Sequence, residues 1–203
     1  MKLFKFTLMS IVGFFVLSGC AGNFKSIDPQ IIKYKNGTTF EDLPLAYEYD
    51  ILEKTSNKKY TRKAYEANIN LVAVRLTNNT DSSLSVNDDI TFYHGNVPID
   101  PMSPVIIQNK IKQIPTGYLF YLLFTSLQLV TEDGGSFPVG WVLGPVLTAG
   151  NLLTSIGSNK KLLQDLYAFS FIDKTIPPNQ TVYGIIGLSN MGYSPIRAKL
   201  VQK

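Results

Sequence analysis

The sequence has very little of what disulfide, metal and nucleic-acid chemistry requires. Its 203 residues include one cysteine, Cys20, and one histidine, His94, so the chain can form neither an internal disulfide nor a multi-histidine metal centre. Charged residues make up 17% of the chain, below the ~25% that is common in globular proteins. With 19 Lys and Arg against 15 Asp and Glu, the balance argues against long disorder and against a nucleic-acid-binding protein.

Motifs that would indicate an enzyme are also missing. A Ser-His-Asp or Cys-His mechanism would have to use His94, which adjoins Gly95-Asn96 at the end of a predicted strand. There is no Gly-x-Ser-x-Gly elbow, phosphate-binding loop or convincing dinucleotide fingerprint. The polar side chains that could bind calcium or form a catalytic carboxylate pair have no diagnostic spacing: Asn87, Asp88, Asp89, Asp100 and Asp173. We therefore expect no catalytic residues, no metal and no cofactor.

The N-terminus has the layout of a secretory signal. Lys2 and Lys5 form a short positive segment, and the uncharged stretch 6–16 is about the length of a signal-peptide apolar region but too short to span a bilayer. Leu17-Ser18-Gly19-Cys20 follows directly. We therefore predict that residues 1–19 are a cleaved signal peptide.

Leu17-Ser18-Gly19-Cys20 resembles the lipobox of bacterial lipoproteins. The resemblance implies that the sulfur of Cys20 receives a diacylglyceryl group, that the chain is cut before Cys20, and that the new N-terminus is acylated, for instance with palmitate. Ala21, in place of an aspartate, implies the outer membrane, and the lack of an acidic run after Cys20 favours the side that faces the periplasm. Loss of Lys2 and Lys5 lowers the formal charge from +4 to +2, too small for long-range steering.

Beyond Cys20 the pattern predicts a tether at 20–42, with a possible edge strand at 31–34, and then a β domain at 43–203. Apolar residues alternate with polar ones in several segments, which is typical of half-buried strands. The stretch 68–80 resembles the strand and loop entry of extracytoplasmic Ig-like domains. In the run 65–76 the alternation changes phase, which indicates either a bulge or burial of both faces. We predict an α+β chain that is mainly β, with an antiparallel Ig-like β-sandwich. The stretch 167–171 is one such predicted strand. The apolar residues of the predicted strands are Leu45, Tyr47, Tyr49, Ile51, Ile69, Leu71, Val72, Val74, Leu76, Leu84, Val86, Ile90, Phe92, Tyr167, Phe169, Phe171, Val182, Ile186, Leu188, Ile196, Ala198 and Leu200.

The alternation disappears between residues 101 and 165, which we interpret as a helical insert. Two almost entirely apolar segments, 117–131 and 137–157, are separated by Glu132-Asp133-Gly134-Gly135. They predict two helices joined by a polar turn; we call residues 117–157 the apolar hairpin. Gly140, Gly144 and Thr148 recur every four residues and indicate close packing on one helix face.

Four interpretations of the apolar hairpin remain open. It completes the core of the sandwich, it is a protein or self-association interface, it enters the bilayer beside the lipid anchor, or it forms the wall of a pocket for an apolar ligand. Tyr118, Tyr121 and Trp141 are of types that favour membrane interfaces. Pro138, Pro145 and Asn151 are expected to interrupt the second helix, which favours protein as the cover.

Together these features predict a non-enzymatic lipoprotein of the cell envelope. It would be held at the membrane through Cys20 and would have a structural or protein-interaction role, with the apolar hairpin as the contact. The alternative is a binding or carrier module for an apolar ligand such as a lipid.

Overall fold

The computed structural model describes residues 20–39, 42–189 and 192–201, and the predicted signal peptide 1–19 lies outside them. The strands are β1 Asn36–Thr38, β2 Leu45–Glu48, β3 Asn70–Thr77, β4 Leu84–Ser85, β5 Ile90–His94, β6 Val97–Ile99, β7 Leu129–Val130, β8 Ser136–Phe137, β9 Thr175–Ile176, β10 Thr181–Leu188 and β11 Ile196–Leu200. The helices are α1 Ile51–Lys54, α2 Lys58–Glu66, α3 Val86–Asp89, α4 Pro104–Ile111, a 3-10 helix Pro115–Ser126 and α5 Gly140–Ala168.

The described chain divides into two compact units. One, here the hairpin unit, contains residues 20–23 and 113–158, and the other, here the main unit, contains the described residues of 24–112 and 159–201. The division falls within α5, after Ser158. All the buried apolar side chains in the described residues belong to the main unit.

The main unit is built on antiparallel strand pairs. Strands β1, β2, β3 and β10 form one sheet in that order, and β11, β5 and β6 form a second. One core cluster takes apolar side chains from both sheets, for example Val74, Ile186, Phe92 and Ile196. The α+β class with antiparallel sheets is therefore confirmed. Helical residues outnumber strand residues in the described chain, so the expectation of a mainly β chain is wrong.

The change of phase within β3, between Leu71 and Val72, reflects burial on both faces rather than a bulge. Val72 and Val74 belong to the cluster shared by the two sheets, whereas Leu71 and Ala73 belong to a second cluster on the opposite face. The pairing of β3 with β10 runs without interruption from Thr77 to Asn70. Helices α1, α2, α4 and the end of α5 cover the second face, which explains why both phases are apolar.

Helix α2 was not expected from the sequence. The run that begins at residue 65 indicates a strand, yet Lys58–Glu66 is helical. Tyr60 and Ala64, four residues apart, are buried on one helix face. Because the rest of that face is short and polar, the period of 3.6 is hard to see in the sequence.

The insert is also longer and less regular than predicted. Helix α5 continues to Ala168, and Ser170 forms only an isolated bridge to Ile185, so the predicted strand at 167–171 is wrong. Leu162 and Leu166 keep the helical spacing and enter the core. Pro145 and Asn151 lie inside α5 and do not interrupt it. The first apolar segment is a 3-10 helix followed by the short β7–β8 pair, whose turn contains Gly134 at φ +82. The short strand of the predicted tether lies at Asn36–Thr38 rather than at 31–34.

Candidate functional site

The residues next to Cys20 are bound to the rest of the hairpin unit. The backbone N–H of Ala21 donates to the side-chain oxygen of Asn151 in α5. Gly22 forms two hydrogen bonds with the side chain of Gln113: its N–H donates to Oε1 at 2.9 Å, and its carbonyl accepts from Nε2 at 2.7 Å. Gln113 is almost completely buried. The lipidation candidate therefore leads into a folded structure rather than a free linker.

Two tyrosines are close to this N-terminal segment. The hydroxyl of Tyr118 donates to Oε1 of Gln113 at 3.1 Å, and its ring stacks on that of Tyr121 with centroids 6.3 Å apart. Burial raises the pKa of both phenols. Both phenols are therefore neutral hydrogen-bonding groups at physiological pH.

The segment after residue 23 is bound to the main unit. The side chain of Asn57 accepts from the N–H of Lys25 at 2.7 Å and donates to its carbonyl at 2.9 Å. Asp165 accepts from the hydroxyl of Ser26 at 2.8 Å and from the N–H of Ile27 at 2.7 Å. Ile27 is completely buried. Part of the predicted tether is thus an ordered piece of the main unit.

Helix α5 packs within the hairpin unit through small residues. A Cβ atom added to Gly140 would lie 2.1 Å from the carbonyl oxygen of Phe124, and one added to Gly144 would lie 2.7 Å from Cγ2 of Thr125. Glycine is therefore required at both positions for the backbones to approach this closely. Thr148, one turn further, is also buried, so the close packing predicted from this spacing is confirmed.

Large apolar side chains of the hairpin unit are exposed. Phe120 is 74% exposed, Trp141 76% and Leu153 69%. The interior of the hairpin unit therefore does not cover these side chains. None of the helices in the described parts of the chain is both long enough and apolar enough to cross a membrane.

Among the residues considered for catalysis or metal binding, His94, Asp88 and Asp89 have structural partners. Nε2 of His94 lies 3.1 Å from the carbonyl oxygen of Gly192. The carboxylates of Asp88 and Asp89 accept hydrogen bonds from the hydroxyl and the backbone N–H of Ser85, respectively. Within the described ranges, no three His, Cys, Asp or Glu side chains come together as a metal-binding group.

An open cavity of about 320 Å³ lies in the main unit. Leu52, Ala64, Ile69 and Leu71 contribute apolar walls, and Asn70 is among the lining residues. Oδ1 of Asn70 accepts from the N–H of Asp50 at 3.2 Å, but its buried Nδ2 has no hydrogen-bond partner in the described structure. A buried amide N–H without a partner is costly. The cavity is therefore a candidate binding site for a group that accepts a hydrogen bond.

Sequence reasoning missed the roles of Gln113 and Asn70. Gln113 stands at the border of the uncharged segment, and a polar residue at such a border is the one available signal. Asn70 is the first residue of β3 and lies between the apolar residues Ile69 and Leu71, where an amide is unexpected, but the sequence does not show that half of the amide lacks a partner.

In comparisons with known proteins, the chain matches no family model, no curated protein and no solved structure. Function must therefore be inferred from the chain's own residues. Two features bear on function. Cys20 belongs to the hairpin unit, whose surface is apolar, and the segment that follows Cys20 is ordered.

Proposed function

We propose that the chain is a non-enzymatic bacterial lipoprotein, anchored through Cys20 in the outer membrane on the side that faces the periplasm. The observation that carries the proposal is Leu17-Ser18-Gly19-Cys20 after a charged and then an apolar segment. The half-exposed Cys20 leads directly into the hairpin unit. Each acyl CH₂ buried in lipid contributes about 0.8 kcal/mol, and two or more chains hold a protein stably.

The short distance between the anchor and the main unit supports a role at the membrane surface. Phe24, the first residue of the main unit, is buried against the ring of Tyr60, with centroids 5.2 Å apart. Four peptide steps separate it from Cys20, and a fully extended chain covers ~3.5 Å in each, or about 14 Å in all. An acylated Cys20 would therefore keep the main unit close to the lipid headgroups, where it can act in envelope assembly or protein contact.

Metabolic labelling tests the anchor. Cells that express the full chain are grown with an alkyne-tagged fatty acid, and the tag is detected on the purified protein. We expect label on the native protein and none on Cys20→Ser, because the chain has no other cysteine. Equal labelling of both forms, or of neither, would contradict the proposal.

The assembly role is tested by purification in mild detergent. We expect the lipidated protein to retain a partner, or a second copy of itself, in a fixed ratio. A strictly monomeric protein in several detergents that leave other envelope complexes intact would contradict an assembly role.

The cavity beside Asn70 favours a second candidate function, a carrier of a small apolar molecule. Its volume of about 320 Å³ lies at the lower end of the range for ligand pockets. Apolar walls suit a ligand with an apolar body, and the unpaired amide of the lining residue Asn70 suits a ligand that also has a hydrogen-bond acceptor. Mass analysis of the organic extract of purified protein tests this function: a defined compound in the native protein that is absent from Asn70→Leu would support it, and an empty extract would contradict it.

The Ig-like β-sandwich remains a proposal as well. Its support is the core cluster shared by the sheet of β2, β3 and β10 and the sheet of β5 and β11. Inter-sheet contacts measured by NMR test it, since the sheets of a sandwich face each other at a distance of ~10 Å.

A further inference from the structure

The polarity of the hairpin unit is inverted relative to a water-soluble fold. Soluble domains bury apolar side chains and expose polar ones. In the range 113–158 the buried residues are instead all polar or glycine: Gln113, Gly140, Gly144, Thr148, Asn151, Ser155 and Ser158. The large apolar side chains of the same range are exposed or half-exposed. Something other than the hairpin unit's own interior must therefore cover them.

The inversion follows from how the unit is packed. At Gly140 and Gly144 the backbone of α5 lies against the backbone and small side chains of the segment 121–127. Because backbone occupies this contact, no room remains in it for large side chains, which extend outward. Small residues at helix contacts are typical of proteins in lipid, where burial of apolar side chains between helices brings no gain.

The polar groups on the buried face of α5 are satisfied without water. The hydroxyl of Thr148 donates to the carbonyl of Gly144 at 2.8 Å, Nδ2 of Asn151 donates to that of Leu147 at 2.7 Å, and the hydroxyl of Ser155 donates to that of Leu152 at 2.9 Å. Side-chain bonds to the preceding turn are how serine and threonine are accommodated in membrane helices. This face is therefore compatible with a medium that offers no hydrogen bonds.

The exposed apolar residues surround the unit rather than forming one patch. Trp141, Val142 and Leu143 are consecutive and all exposed. Successive residues of a helix are ~100° apart, so these three side chains cover more than half of the circumference. A single protein partner covers one face of a helix, whereas lipid chains cover all free faces.

The charge distribution also favours lipid. Between Ile114 and Ser158 the only charged residues are Glu132 and Asp133, which lie in the turn between β7 and β8. They can remain at the headgroups while the rest of the segment enters hydrocarbon without carrying a charge. Cys20 belongs to the same compact unit, so the acyl chains would hold this surface at the membrane.

We propose that the apolar hairpin, residues 117–157, inserts into the lipid leaflet that holds the acyl chains of Cys20 and acts as a second membrane anchor. The proposal rests on the proposed lipidation for its choice of leaflet. Lipid chains cover the exposed side chains of the 3-10 helix and of the first half of α5. The main unit remains in the water phase.

Trp141 provides a direct test, because it is the only tryptophan of the chain and lies in the apolar hairpin. The mature chain, residues 20–203, is prepared as Cys20→Ser and mixed with vesicles of phosphatidylethanolamine and phosphatidylglycerol. We expect the protein to float with the vesicles and the emission of Trp141 to shift to shorter wavelength. The emission should be quenched by lipids brominated on their acyl chains and protected from iodide in the water phase.

Matched substitutions locate the contact. Phe120→Gln and Leu153→Gln remove exposed apolar side chains, and each should weaken partition into vesicles by about tenfold. Ile31→Gln changes an equally exposed residue, 79%, of the main unit and should leave partition unchanged. Because the three side chains are exposed, the folded main unit should be retained in each variant, as circular dichroism can verify.

Two results would overturn the proposal. Trp141 that stays accessible to iodide and unquenched by brominated lipid would exclude insertion. A discrete oligomer that protects Trp141 in the absence of lipid and does not bind vesicles would show that a second copy of the chain covers the hairpin. Since Cys20→Ser has no acyl group, these results are independent of the lipidation itself, which mass analysis of the native chain tests separately.

Discussion

The buried side chain of Gln113 binds both backbone groups of Gly22, with hydrogen bonds of 2.9 and 2.7 Å. An amide side chain that both donates to and accepts from one residue's backbone fixes the orientation of that backbone, as pairing with a neighbouring strand does in a sheet. Gly22 is two residues from Cys20, so the pair determines where the proposed lipid leaves the protein. The proposed anchor, Cys20, therefore belongs to a folded unit.

Gln113→Ala should release this N-terminal segment. The substitution removes two hydrogen bonds and the acceptor of Tyr118, and we expect the local stability to fall by about 1–3 kcal/mol. Amide hydrogen exchange at Ala21 and Gly22, measured by mass spectrometry in detergent, should become at least about tenfold faster. Lys112→Ala, at the adjacent exposed position, is the control; unchanged exchange in Gln113→Ala would show that the pair does not hold the segment.

Two glycines of α5 should respond to substitution in opposite ways. Gly140→Ala places a methyl group 2.1 Å from the carbonyl oxygen of Phe124, so the helix must move away from the 3-10 segment. At Gly150 an added Cβ has no neighbour within 4 Å, and Gly150→Ala should stabilise the helix by about 0.5–1 kcal/mol.

Limited proteolysis of the segment 115–139 in detergent measures the difference between the two variants. Faster cleavage is expected for Gly140→Ala only. Equal cleavage of both variants would contradict the close backbone packing of the hairpin unit.

The buried Glu48 should make the main unit sensitive to acid. Burial alone would raise the pKa of its carboxyl, but hydrogen bonds from the Lys54 ammonium and the Lys35 N–H outweigh that effect and hold the pKa below its usual value. A lowered native pKa means that the unfolded chain binds more protons. The contribution of Glu48 to the free energy of unfolding is therefore complete above the ordinary glutamate pKa of about 4.3. It is lost as the pH falls through the lower native pKa.

Chemical unfolding at several pH values tests this role. Glu48→Gln should lower the free energy of unfolding by about 1–2 kcal/mol at neutral pH and should reduce its dependence on pH below 4.3. Glu66→Gln is the matched control, since Glu66 pairs with Arg62 on an exposed helix face and should change little. The same slope in wild type and Glu48→Gln would contradict the assignment.

Period-two patterning predicted the central strands well because their environment is regular. In β10, Ile186 and Leu188 lie in the shared core and Val182 packs against it. In β11, Ile196 and Ala198 lie in the same core and Leu200 packs against it, as the alternation indicated. At 84–92 the buried residues were predicted correctly, but one helical turn, Val86–Asp89, separates β4 from β5. Val86 and Ile90, four residues apart, face the same side in a helical turn and also in a strand. The pattern therefore could not distinguish a helical turn from a continuous strand.

The hairpin unit was less predictable because composition does not show what an apolar segment contacts. The sequence predicted close packing at Gly140 and Gly144 but not that glycine contacts would turn Trp141 and Leu153 outward. The partners of Gln113 and Asn151 lie 91 and 130 residues away in the sequence. Local patterns contain no information on pairs this distant.

The mass of the mature N-terminal peptide tests the central claim, that Cys20 is the lipid anchor, most directly. The native protein is purified from bacterial membranes, digested and analysed by mass spectrometry. We predict that residues 1–19 are absent and that the first peptide begins at Cys20, with a diacylglyceryl group on its sulfur and a fatty acid on its amine. A first peptide with an unmodified Cys20, or one that begins at another residue, would contradict the account.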